Sequence, residues 1–90
     1  MLRFLMQEFE GTPLLLLLTT CVADEERDAR VRRRNRAVSA LAEKYGLPVV
    51  DLYAMTDAHR NFLSADGVHL TQEGYGMLAD ELVKRVRELL

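Results

Sequence analysis

Apolar positions along the chain recur in two rhythms. Leu2, Leu5, Met6 and Phe9 stand at helical spacing, and Gly11 and Pro13 close that stretch. Leu14 to Leu18 is then a continuous apolar run, the pattern of a strand covered on both faces, expected over about 14–20. Leucine is only a moderate strand former, so periodicity alone leaves a helix open; Pro13 before the run and Thr19-Thr20 after it favour the strand. Asp24, Glu25, Glu26 and Asp28 open a helix expected over about 26–45, since acids suit the positive end of the helix dipole. Val31, Val38, Leu41, Ala42 and Tyr45 form its apolar face, Gly46 fits the position after its last turn, and Pro48 follows. Val49-Val50-Asp51-Leu52 reads as a second short strand over about 48–52, and Tyr53 to Ala65 as a loop with room for a helical turn. Thr71 is a good N-cap for a last helix over about 72–89, with Leu78, Leu82, Val83, Val86 and Leu89 on one face.

The order α–β–α–β–loop–α predicts an α/β fold with parallel strands joined by a right-handed crossover. Two strands make a poor sheet. The leucine strand is patterned for pairing on both edges, and no third strand is legible in the chain.

Size and charge narrow the picture. Ninety residues make one domain at most, and a chain of that length buries roughly 60–65% of the surface its unfolded form exposes. With 49% hydrophobic and 29% charged residues, disorder, fibrous repeats and a multi-pass membrane protein are excluded. A net charge of -2 gives no case for nucleic acid. The densest basic run, Arg27, Arg30, Arg32, Arg33, Arg34 and Arg36, is interleaved with acids and reads as a solvated helix face. Cys21 is alone, which rules out an internal disulfide and a cysteine zinc site; at a strand end it is expected to be half-buried. Asp57, His59, Asp66 and His69 lack the spacing of a metal site, so no metal is expected. Leu18-Thr19-Thr20-Cys21 after the leucine run invites a leader-peptide reading, but Glu8, Glu10 and Gly11-Thr12-Pro13 oppose it, and the run is too short to span a bilayer. A cytoplasmic location and no membrane span are the expectation.

The chemistry concentrates in Phe62 to Tyr75. Asp66 precedes His69 by three residues across Gly67, on a loop that ends at a helix N-terminus. That spacing lets a carboxylate reach a ring nitrogen of the histidine and fix its tautomer, the role of the acid in an acid–base–nucleophile triad. A histidine so held can move protons near neutral pH. Asp-Gly turn chemistry alone accounts for the same residues without catalysis.

Asp66-Gly67-Val68-His69-Leu70-Thr71 followed by Glu73-Gly74-Tyr75 resembles the last conserved block of the SGNH (GDSL-type) esterases and lipases. Thr12 to Thr19 resembles that family's fourth strand. Asn35, then Leu41 to Leu52, resembles the helix and fifth strand leading to its catalytic loop, about 62–70 here. The resemblance implies the C-terminal part of a flavodoxin-like, three-layer α/β/α fold, with residues 1–90 as a single partial domain. It implies a serine hydrolase of small carboxylic esters in which Asp66 orients and His69 acts as general base, then general acid. No cofactor is implied. The family's nucleophile lies in a Gly-Asp-Ser block, and its oxyanion donors include a glycine and an asparagine; this chain has no Gly-Asp-Ser. Ser39 falls inside a helix and Ser64 lacks the elbow that exposes a nucleophile. Asn35 is read as structural. The expected partner is therefore the missing N-terminal half, with inactivity alone. The alternative is a non-catalytic remnant or interaction module that self-associates through its strand edge.

Overall fold

The structure, a computed structural model, describes residues 14–89. The helix expected around Leu2 to Phe9 lies outside these residues. The described chain runs β1 (Leu16–Leu17), α1 (Glu25–Tyr45), β2 (Val49–Val50), α2 (Leu52–Asp57), a 3-10 turn (Arg60–Phe62) and α3 (Gln72–Leu89). It is a small α/β domain with three α-helices and a two-stranded parallel sheet, Leu16 opposite Val49 and Leu17 opposite Val50.

The ladder is shorter than the leucine run. Leu16 N–H donates to Pro48 O (3.1 Å) and Leu18 N–H to Val50 O (3.1 Å), and there strand pairing stops. At Thr19 a side chain takes over: Thr19 N–H donates to Asn35 Oδ1 (2.9 Å), and Asn35 Nδ2 donates back to Thr19 O (3.0 Å). The Asn35 amide thus presents the donor and acceptor that a neighbouring strand would.

Helix α1 starts where Asp24 accepts from Arg27 N–H (2.9 Å), and ends on Gly46, whose φ of 64° lets its N–H return to Ala42 and Glu43. Its inner stripe differs from the expected one. Asp28, Val31, Asn35 and Ala42 are buried, whereas Leu41 is 44% exposed. Periodicity alone ranks Leu41 as core, but two polar side chains with fixed partners set the helix phase instead.

Asp28 is the largest departure from expectation. It stands in the first turn, as expected, yet it is 0% exposed. Its Oδ1 accepts from Val22 N–H (3.0 Å), and its Oδ2 from Tyr53 OH (2.6 Å), Arg32 Nη1 (2.6 Å) and Arg60 Nη2 (3.1 Å). Burial pushes the carboxyl pKa up, but the Tyr53 hydroxyl, the Val22 N–H and the Arg60 guanidinium outweigh it and hold it below the ordinary value. Burial, with the bond to Asp28 next, raises the Tyr53 hydroxyl.

Asp51 and Leu52 do not continue the second strand. Asp51 accepts from Ala54 N–H (2.9 Å) and caps α2, so the expected loop from Tyr53 begins as a helix. Within α2 the buried Thr56 donates its hydroxyl to Leu52 O (2.8 Å) and accepts from Cys21 N–H (3.0 Å). Cys21 is fully buried, more so than expected, because the chain beyond β1 is pinned from both sides.

The apolar core joins Val50, Leu52, Leu70 and Leu78, with Leu15, Met55, Leu63, Met77 and Leu82 packed against it. Each fully buried leucine there contributes roughly 1.5–3 kcal/mol. Helix α3 leans on this core through its first half. Further along, Val83 (50%) and Val86 (45%) are exposed, against the expectation that the whole stripe is buried. No described helix is long and apolar enough to cross a membrane.

Candidate functional site

Asp66 and His69 sit on a small hairpin. Leu63 and Leu70 pair antiparallel, Thr71 N–H donates to Phe62 O (2.7 Å), and Ser64 N–H to His69 O (2.8 Å). A four-residue turn at the tip closes with Gly67 N–H donating to Ser64 O (2.9 Å). Serine first and glycine last is the composition such a turn favours. Gly67 has φ of 72°, and a Cβ there would lie 2.8 Å from Ala23 Cβ. Both facts require glycine. Thr71 then accepts from Gly74 N–H (3.3 Å) through its hydroxyl, opening α3.

The turn aims the Asp66 carboxylate inward on its own loop. Oδ1 accepts from Ser64 Oγ (2.6 Å), Val68 N–H (2.9 Å) and His69 N–H (3.0 Å), while Oδ2 lies 2.6 Å from His69 Nδ1. The Ser64 hydroxyl first, then the His69 ring and the two backbone N–H groups, hold the Asp66 carboxyl well below the usual carboxylate range. An ionised carboxylate only accepts, so His69 Nδ1 carries the hydrogen, and in the neutral imidazole Nε2 keeps its lone pair. The side chains of Asp66 and His69 are 51% and 71% exposed. The arrangement is a histidine with fixed tautomer, its basic nitrogen open to solvent, backed by a carboxylate. It can take a proton from a hydroxyl placed at Nε2 and return it to a leaving group.

The two serines stand elsewhere. Ser64 Oγ is spent on Asp66, on the far side of the carboxylate from the imidazole, and Ser39 lies within α1. Among the described residues no side chain is hydrogen-bonded to His69 other than Asp66. Asn35 is engaged with Thr19. His59 stacks on Phe62, ring centroids 5.5 Å apart, and among the described residues no cluster of His, Cys, Asp and Glu could hold a metal.

Sequence reasoning missed Arg60 and Tyr53. Arg60 donates from Nε to Asp57 (2.7 Å), from Nη1 to Val22 O (3.3 Å) and from Nη2 to Asp28. Only Asp57 is a local partner; the others lie 21 to 38 positions away, where spacing gives no signal.

Among solved structures the chain is similar to a lipase/acylhydrolase from Enterococcus faecalis, with a TM-score of 0.82 and 24% sequence identity. The fold is lipase/acylhydrolase-like. The match covers 99% of this chain and 49% of that one, so the chain spans about half the length of this structural relative. No protein-family profile and no curated protein matches the sequence.

Proposed function

We propose that the chain carries the acid–base part of a Ser-His-Asp ester hydrolase of the SGNH (GDSL) type. In this reading the described strands are the last two of a larger three-layer α/β/α sheet. Its remaining strands join at the outer edge of β1, and the nucleophilic serine and oxyanion donors come from that further polypeptide. His69 Nε2 takes the serine proton as the serine oxygen bonds to the acyl carbon. The same proton goes to the departing alkoxide, and water repeats the cycle on the acyl-enzyme. Asp66 holds the tautomer and stabilises the imidazolium. The observation that carries this reading is the 2.6 Å contact of Asp66 Oδ2 with His69 Nδ1, with Nε2 left unengaged among the described residues. The lipase/acylhydrolase-like fold supports it.

The test is to extend the chain by the codons upstream of Met1 and assay a short-chain nitrophenyl ester. The expected result is an in-frame Gly-Asp-Ser block, hydrolysis, and a loss of about 10⁶-fold in kcat on His69→Ala. An upstream frame without that block, or a rate untouched by His69→Ala, overturns the reading.

One observation favours a second reading, a non-catalytic module that self-associates. Leu16 and Leu18 use their N–H groups on β2, so the backbone groups of Leu17 turn to the other edge, which has no strand partner among the described residues; its side chain is 48% exposed. Sedimentation at low concentration decides it, since a well-folded monomer is incompatible with this alternative.

A further inference from the structure

The hydrogen bonds of Asp66 and His69 stay within residues 64–69, so the pair is only as rigid as that exposed turn, and the turn is held by the hairpin's anchors. Orientation relative to the rest of the fold comes from the hairpin's tip and root. At the tip, Gly67 O accepts from Ala23 N–H (2.8 Å), and Ala23 Cβ occupies the space a Gly67 side chain would need. At the root, Leu63 N–H donates to Arg60 O (3.0 Å).

Ala23 lies on the segment between β1 and α1, beyond the last bond of the strand ladder. Its neighbour Val22 is held only by side chains. Asp28 Oδ1 takes the Val22 N–H (3.0 Å), and Arg60 Nη1 reaches the Val22 carbonyl (3.3 Å). Arg60 Nη2 also meets Asp28 Oδ2 (3.1 Å), so one guanidinium and one buried carboxylate grip both polar groups of the same peptide residue. The contacts close a ring: Arg60 side chain to Val22, Ala23 to Gly67, hairpin to Leu63, Leu63 to the Arg60 backbone.

We infer that Arg60 is a positioning residue for the Asp66–His69 pair, gripping the hairpin at its root through its carbonyl and at its tip through Val22 and Ala23. The side-chain part of this ring needs a planar fork of donors, because three acceptors at Asp57, Val22 and Asp28 must be met at once. An ammonium supplies the charge but not the fork. The inference rests on the reading of His69 as the base; its test does not depend on ester hydrolysis.

The experiment is NMR on the full chain, with two readouts: the low-field His69 Nδ1–H resonance, and the exchange rate of the Ala23 amide. In Arg60→Gln, with helix content by circular dichroism retained, Ala23 exchange rises at least tenfold and the His69 resonance broadens into the solvent. Asp57→Ala removes only the Nε partner and leaves both readouts at wild-type values. Arg60→Lys keeps the charge opposite Asp28 and accelerates Ala23 exchange at least threefold, so it carries the test if Arg60→Gln does not fold. A His69 resonance unchanged in either folded Arg60 variant overturns the inference, even if stability falls. Its absence from the wild-type spectrum removes the Asp66–His69 pair itself, and the proposed function with it.

Discussion

Asp28 and Asp66 each accept four hydrogen bonds, but from opposite sources. Asp66 draws all of its partners from within three residues, and its side chain is 51% exposed. Asp28 is fully buried and collects Val22, Arg32, Tyr53 and Arg60, the last of these 32 positions away. One carboxylate organises a loop, the other organises the domain. Ionised groups with the same bond count therefore differ in consequence. An exposed carboxylate can fall back on water, while a buried one has only the protein.

The contrast breaks most visibly at Asp28. Asp28→Ala takes one partner each from Arg32 and Arg60 and leaves the Tyr53 hydroxyl and the Val22 N–H without their acceptor, and is expected to cost about 2–5 kcal/mol in urea unfolding. A cost under about 1 kcal/mol would dissolve the distinction between the two sites.

Acid titration sharpens it next. The folded-state pKa of Asp28 is depressed, so its stabilisation is complete above the ordinary carboxylate range and is lost as pH falls through the folded value. Wild-type stability should fall below about pH 4. The comparison is with Asp28→Asn, whose stability–pH curve should be flatter over that window. Parallel curves would show that other carboxylates govern the acid limb.

The smallest stability effect belongs to Asp66→Asn. The amide oxygen still accepts from Val68 and His69 N–H, so the urea midpoint should scarcely move. The His69 Nδ1–H resonance should nonetheless vanish, because an amide N–H facing Nδ1 imposes the other tautomer. Persistence of that resonance would show that the carboxylate does not set it.

The same contrast explains what was legible in the sequence. Helices α1 and α3 follow from periodicity with Gly46 and Thr71 at their ends, and the Asp66–His69 pair follows from a three-residue spacing. All of these are local facts. Helix α2 was hidden because Asp51 looks like part of a valine strand until its side chain is seen to accept from Ala54. Asp28 was hidden among first-turn acids whose burial is decided by Tyr53 and Arg60, and Arg60 stood in a stretch read as loop. Leu41, Val83 and Val86 fit an apolar stripe by spacing but are exposed in the described structure, since period fixes only the relative angle of residues on a helix and not which angle faces inward.

That last ambiguity is resolved by Asn35. Asp28, Asn35 and Ala42 recur every seven residues along α1, and all are buried. Leucines and valines are interchangeable neighbours, so an apolar interface tolerates a helix turned by a fraction of a step. A side-chain amide serving both polar groups of Thr19 does not, because advancing the helix by one residue swings it through about 100° and orphans donor and acceptor together. Asn35 thus works as a rotational key for a 21-residue helix. With the key seated at its middle, Asp28 two turns earlier has no choice but to face the interior, and the stripe carrying Arg27, Arg30 and Arg34 is turned to solvent.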